Sequence, residues 1–176
     1  MKKTSTKKQQ KTDSLKHVLI YTDGACTGNP GPGGYAAILL YGDNRKEISA
    51  GYRKTTNNRM ELMAAIAGLE ALKMPCRVTL YSDSRYLVDS ITKGWVYQWQ
   101  TKGWMRNKHE PALNSDLWER LLPLLEKHQV EIVWVRGHAD TPENIRADEL
   151  AVQAIKSKNL LVDQNYEANS ESNSST

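Results

Sequence analysis

His17-Val18-Leu19-Ile20-Tyr21-Thr22-Asp23 and Val78-Thr79-Leu80-Tyr81-Ser82-Asp83 are two short runs rich in β-branched and aromatic residues, and each ends on an aspartate. Both read as strands that deliver an acid at their C-terminal end. Two further acids, Glu61 and Asp148, fall inside segments with helical spacing. An unpaired carboxylate taken out of water costs roughly several kcal/mol or takes up a proton. Acids that interrupt core-forming segments therefore call for cations, and these four point to a divalent-metal site. Singly, each acid has an ordinary explanation: Asp23 and Asp83 as turn formers, Glu61 and Asp148 as exposed helix residues. Composition and spacing alone leave both readings open.

Outward from these runs, segments at about 17–23, 33–41 and 46–55 read as three strands joined by Gly/Pro/Asn-rich turns, an antiparallel meander. A helix follows, with Asn57 and Asn58 as capping candidates, Leu62, Ile66, Leu69 and Leu72 at helical spacing, and Pro75 beyond its end. Strand 77–82 leads into a helix near 84–92, a helical piece at about 95–100 and a fourth helix from Ser115. Leu117, Trp118, Leu121, Leu124 and Leu125 form the buried side of the fourth, and Pro123 is expected to kink or loosen one turn. Val130 to Val135 reads as a strand, and Thr141-Pro142 as an N-cap and first helical residue opening a helix to about 156. This order implies an α/β fold, a mixed sheet with helices packed on its faces.

A chain of 176 residues, 39% hydrophobic and with mean hydropathy −0.62, fits one domain with a real core. Its apolar runs, such as Tyr35 to Tyr41, are far shorter than the roughly 20 residues a membrane helix needs. The basic N-terminus lacks a following apolar stretch, so a cytoplasmic protein is expected. Cys26 and Cys76 are too few for a disulfide framework and show no metal-ligand spacing. Residues 1–16 hold six lysines and one aspartate, whereas 163–176 hold three acids and no base. The pI near 9.0 thus reflects mostly the tail. The expected organisation is a disordered basic tail over 1–16, a domain over 17–158 and a flexible polar tail over 159–176. The absence of a coiled-coil seam favours a monomer.

The text around the acids is more specific. Tyr21-Thr22-Asp23-Gly24-Ala25-Cys26, with Asn29-Pro30-Gly31-Pro32-Gly33-Gly34-Tyr35-Ala36 after it, resembles the opening of type 1 ribonuclease H, the bacterial ribonuclease HI family. So do Thr55-Thr56-Asn57-Asn58-Arg59-Met60-Glu61-Leu62, Tyr81-Ser82-Asp83-Ser84, Trp134-Val135-Arg136-Gly137-His138 and Asn144-Ile145-Arg146-Ala147-Asp148-Glu149-Leu150-Ala151. The blocks run in family order from about 17 to 156.

This resemblance implies a ribonuclease H-like fold: a five-stranded mixed sheet, three strands antiparallel and two parallel, with helices on both faces and a basic protrusion at about 93–110. It implies an endonuclease that cuts the RNA strand of an RNA–DNA hybrid, leaving 5′-phosphate and 3′-hydroxyl ends. Asp23, Glu61, Asp83 and Asp148 would hold two Mg²⁺ ions with substrate, Mn²⁺ being a substitute, in the manner of two-metal phosphodiester cleavage. His138 matches a loop histidine that assists proton movement or product release. Gly24, Cys26, Asn29, Asn57 and Asn58 match positions lining the hybrid's minor groove, and Lys54, Thr56 and Asn114 match a pocket for a DNA-strand phosphate.

Many relatives carry arginine at the position of Lys54, so bidentate geometry is lost there. Arg85 stands where relatives often have neutral glutamine, an added cation beside the acids. Trp95, Trp99, Lys102 and Trp104 match the protrusion, where bases and aromatics interleave as on a nucleic-acid groove. The bland alternative is that these tryptophans pack the protrusion onto the domain. A transposase-like nuclease core, a non-catalytic hybrid-binding module and a domain clipped from a polyprotein polymerase are the rival readings; the module would be expected to lack at least one of the four acids.

Overall fold

A computed structural model describes residues 14–137 and 141–173; His138 and residues 1–13 of the expected basic tail lie outside them. Five strands, β1 (His17–Cys26), β2 (Gly31–Tyr41), β3 (Asn44–Thr55), β4 (Arg77–Ser82) and β5 (Gln129–Trp134), form one sheet in the order β3-β2-β1-β4-β5. The three-strand meander is antiparallel, and β4 and β5 add to β1 in parallel. This is the mixed sheet expected from the sequence. The helices are α1 (Asn57–Glu70), α2 (Arg85–Thr92), α3 (Trp95–Thr101), α4 (Ser115–Lys127), α5 (Pro142–Ile155) and α6 (Gln164–Asn173).

Period-two alternation along β1 buries Val18 and Ile20 on one face of the sheet, where they meet Leu62, Ile66 and Leu69 of α1 and, beyond it, Trp118 and Leu121 of α4. Because α1 lies between the sheet and α4, its residues from Arg59 to Ile66 are buried on every side. Ala147 and Ala151 of α5 close a smaller core against Ala36 and Ile38 on the opposite face. Small residues let this helix approach closely: a Cβ at Gly34 would overlap the Ala151 carbonyl oxygen.

Two local expectations change. The N-cap of α1 is Thr56, whose hydroxyl accepts from the Arg59 N–H at 3.2 Å, while Asn57 is already helical and gives its N–H to Asn29 Oδ1 at 3.0 Å. Pro123 stands inside α4 on its exposed side, and the helix runs on through it; having no N–H, it leaves the Glu119 carbonyl without its helical donor, the loosened turn expected of it.

The stretch 159–176, expected to be flexible, is docked over much of its described length. Leu161 pairs with the edge of β3, Asp163 is buried, and α6 follows with Glu167 bonded to Arg53 at 3.0 Å. The physical reason is that β3 is an edge strand whose free N–H and C=O groups take a partner, and that Arg59, buried beneath, needs an anion.

Candidate active site

Parallel pairing decides where the aspartates meet. The register Tyr21↔Tyr81 sets β1 and β4 level, with the two rings stacked at 4.6 Å. Two residues further on, by the same alternation, Asp23 and Asp83 lie side by side, Asp83 just past the end of β4 and Asp23 inside β1, which does not end on it as expected but runs on to Cys26 because β2 continues to pair with it. Asp148 comes from α5 on that face and is close enough to raise the Asp23 proton affinity.

Glu61 arrives from the other face, in the second turn of α1. A Cβ at Gly24 would lie 2.6 Å from the Glu61 nitrogen and 2.8 Å from the Met60 carbonyl carbon, so only glycine lets the helix come this near the strand end. Carboxylate oxygens of Asp23, Glu61 and Asp83 consequently all fall within 4.8 Å of one another.

Burial, then the charges of Asp83 and Asp148, push Asp23 up to about 8, although the Gly24 N–H donates to its Oδ1 at 2.9 Å. Burial, then the charges of Asp23 and Asp83, hold Glu61 well above the ordinary carboxylate range. Glu61 Oε2 is buried with no hydrogen-bond partner, an orphaned acceptor on a carboxylate that belongs to an all-oxygen cluster. That donor set fits a hard divalent cation such as Mg²⁺, which takes oxygen ligands and keeps part of its water.

The acids open onto a cleft of about 550 Å³ also lined by Gly24, Asn57, Asn58, Arg85, Arg136 and Asn144. Arg85 is not a free cation: its guanidinium lies over the Trp134 ring at 3.7 Å, and the Trp134 indole N–H donates to the Asp83 carbonyl at 3.2 Å. The segment leading to His138 passes the same acids, since a Cβ at Gly137 would lie 3.4 Å from Asp83 Oδ2.

Of the other expected residues, Cys26 is half-buried, its thiol 3.6 Å from the Gly31 and Thr55 carbonyls, and Asn29 ties the β1–β2 turn to α1. Thr56 and Asn114 both bond Arg59, and Lys54 is exposed one residue before the end of β3. Trp99 and Trp104 pack against the main core, whereas Trp95 is exposed beneath Lys93, 5.2 Å from its ring, and Lys102 faces solvent. The sequence reading missed Arg136 and Asn144 as cleft residues, though both stand inside motifs flanking the acids. It also missed Tyr86, whose hydroxyl accepts from Asn114 Nδ2 at 3.1 Å and Trp118 Nε1 at 3.0 Å.

Comparison with known proteins agrees with this geometry. The family model described as RNase H matches residues 15–156. A protein named Ribonuclease H from Desulforamulus reducens is 62% identical over 150 residues, covering 85% of this chain and 94% of that one. Among solved structures, LC9-RNase H1, described as a type 1 RNase H with the type 2 active-site motif, superimposes with a TM-score of 0.73 at 34% identity, covering 88% of this chain and 80% of the other. LC11-RNase H1, solved in complex with RNA/DNA hybrid, gives 0.61 at 26% identity over 79% of this chain and 96% of its own.

Proposed function

The chain belongs to the RNase H family, and from that premise we propose that it is a metal-dependent endonuclease hydrolysing the RNA strand of RNA–DNA hybrids to 5′-phosphate and 3′-hydroxyl ends. The observation that carries the reading is the convergence of Asp23, Glu61 and Asp83 within 4.8 Å, with Asp148 near Asp23, in the lining of one cleft. Two Mg²⁺ ions bound with substrate, or Mn²⁺ in their place, would supply an activated water and stabilise the 3′-oxygen leaving group. Asp23, Glu61, Asp83 and Asp148 would hold the ions, Asp23 being the acid close to Glu61, Asp83 and Asp148 alike.

The rest of the site binds and orients. A hybrid shows 2′-hydroxyls on one strand only, so recognition needs groups that both donate and accept beside the RNA. Asn57 and Asn58 in the cleft, with the backbone near Gly24 and Cys26 and with Asn29 buttressing the turn, serve that role. Lys54, Thr56 and Asn114 hold a DNA-strand phosphate, and the protrusion with Trp95, Trp99, Lys102 and Trp104 extends the track for the duplex. Arg85, stacked on Trp134, keeps guanidinium edges toward the cleft for backbone phosphate. His138, next in the chain to Gly137, moves a proton or helps product leave.

Among the described residues no helix is long and apolar enough to cross a membrane. We propose a cytoplasmic monomer whose catalytic unit spans 17–158, with the docked part of the C-terminal stretch as an appended brace.

The test is a labelled-strand assay on hybrid, duplex RNA, duplex DNA and single-stranded RNA, with Mg²⁺ or EDTA and with Asp83→Asn as control. Cutting of the hybrid's RNA strand alone, lost with EDTA and in the variant, is the expected outcome. Hybrid binding without cutting under both Mg²⁺ and Mn²⁺ would leave only a binding module.

A further inference from the structure

The C-terminal stretch reaches back to the first turn of the helix that carries Glu61. Leu161 gives its N–H to the Gly51 carbonyl at 2.8 Å and accepts from the Arg53 N–H at 2.9 Å. This brings Asp163 onto Arg59, which is only 4% exposed: Nε donates to Oδ2 at 2.7 Å and Nη2 to Oδ1 at 2.9 Å. Asp116 takes Nη1 at 2.9 Å and Nη2 at 2.7 Å, and Nη1 also donates to Asn114 Oδ1 at 3.4 Å. A guanidinium has five N–H donors and no acceptor, and these contacts use all five.

Since Arg59 can only donate, whatever faces Nη1 must accept. Asn114 is therefore turned with Oδ1 toward Arg59 and Nδ2 away from it. Nδ2 carries two hydrogens, and Tyr86 takes one, at 3.1 Å. The remaining hydrogen presents a donor, the polarity a phosphate requires; a flipped amide would set donor against donor at Arg59. Glu61 depends less on this hub, because Gly24 fixes its turn directly against β1.

We propose that Asp163 is a positioning residue for the DNA strand of the hybrid: it holds Arg59, and Arg59 sets the donor polarity of Asn114 in the phosphate pocket formed with Lys54 and Thr56. The inference rests on the hybrid-nuclease reading and on that pocket. It assigns the C-terminal stretch, beyond the catalytic unit, a part in substrate binding and not in the chemical step.

Steady-state kinetics on one matched hybrid test it, using the full chain as wild type, Asp163→Asn, Asn114→Gly and the double variant. Asn114 has φ 64°, so glycine removes the amide there without backbone strain. Asp163→Asn is expected to raise KM about tenfold, the scale of one charged hydrogen bond. It should leave kcat within about twofold, as expected for lost uniform binding. In the Asn114→Gly background it should add nothing further to KM, a coupling that general loosening would not produce.

Thr55→Val removes the 2.7 Å hydrogen bond from Thr55 to Asp163 Oδ2. It should shift KM the same way by less, and it replaces Asp163→Asn if circular dichroism finds that variant unfolded. Unchanged KM, a fall in kcat alone, or additive effects with Asn114→Gly, in a wild type that cuts the hybrid, would overturn the positioning role only. A wild type that fails to cut the hybrid would overturn the proposed function and this inference together.

Discussion

Gly24 and Glu61 are in backbone contact across the end of the sheet, with space for no more than a hydrogen between them. Gly24→Ala should therefore push α1 off β1, costing about 1–3 kcal/mol through overpacking. It should also lower hybrid cleavage more than tenfold as Glu61 leaves the cluster, an order of magnitude set by sub-ångström misplacement. Urea unfolding and an Mg²⁺ titration of activity check the two effects separately.

Asp23 stands among three other acids in a partly buried site. Asp23→Asn keeps the acceptor for the Gly24 N–H and removes a carboxyl that the folded, metal-free site forces to take up a proton, at a cost the unfolded chain does not bear. Without metal at neutral pH the variant should be more stable than wild type by about 1–3 kcal/mol, because the unfolded wild type holds Asp23 ionised while the folded one must protonate it, yet inactive. Mg²⁺ at 100 times its Kd should stabilise the wild type by about 2.7 kcal/mol and the variant much less. Thermal melts with Mg²⁺ and with EDTA decide it; a variant less stable than wild type in EDTA would mean the acids are satisfied without a cation.

Arg85 covers the Trp134 ring and faces the cleft. Arg85→Gln should lower stability by about 0.5–1 kcal/mol through loss of the cation–π contact. If its edge also meets a phosphate, the slope of log KM against log salt should fall by about 1. An unchanged slope would confine Arg85 to bracing Trp134 and the Asp83 turn.

His128 is buried, accepts the Cys76 N–H at Nδ1 (3.1 Å), and its Nε2 has no hydrogen-bond partner. Burial, with a smaller contribution from Lys127, lowers its pKa. The unfolded chain then binds a proton, near pH 6.5, before the folded one does. Stability is complete above that pH and declines as pH falls through it toward the folded pKa. His128→Asn, which keeps an acceptor for Cys76, should show a shallower loss of unfolding free energy between pH 7.5 and 5 than wild type.

His138→Ala should slow single-turnover cleavage while leaving the Mg²⁺-induced rise in melting temperature intact. A lost metal response would instead make His138 part of the ion site.

Asp23, Glu61, Asp83 and Asp148 were legible in the chain because each breaks a pattern: an acid ending an apolar strand or sitting on a packing helix face. The order of the elements and the mixed sheet followed from period-two and helical spacing with glycine and proline punctuation, while the end of β1, expected at Asp23, lies at Cys26. The C-terminal stretch was not legible, since its polar composition resembles a solvated tail. Its ordering comes from two needs elsewhere in the chain, the free edge of β3 and the buried charge of Arg59. The N-cap of α1 was displaced by one residue because Asn57 is engaged by Asn29, a contact no local pattern encodes.

By itself, then, the sequence determined which residues are acids out of place, how the elements are ordered and which family they resemble, all properties of local periodicity and motif text. Only the tertiary structure decided that parallel register sets Asp23 level with Asp83, that glycine lets Glu61 close the cluster, that Arg85 covers the Trp134 ring, and that Asp163 and Asn114 meet on the same arginine, Arg59. These are distances between residues remote in the chain, fixed by packing and by the pairing of buried polar groups.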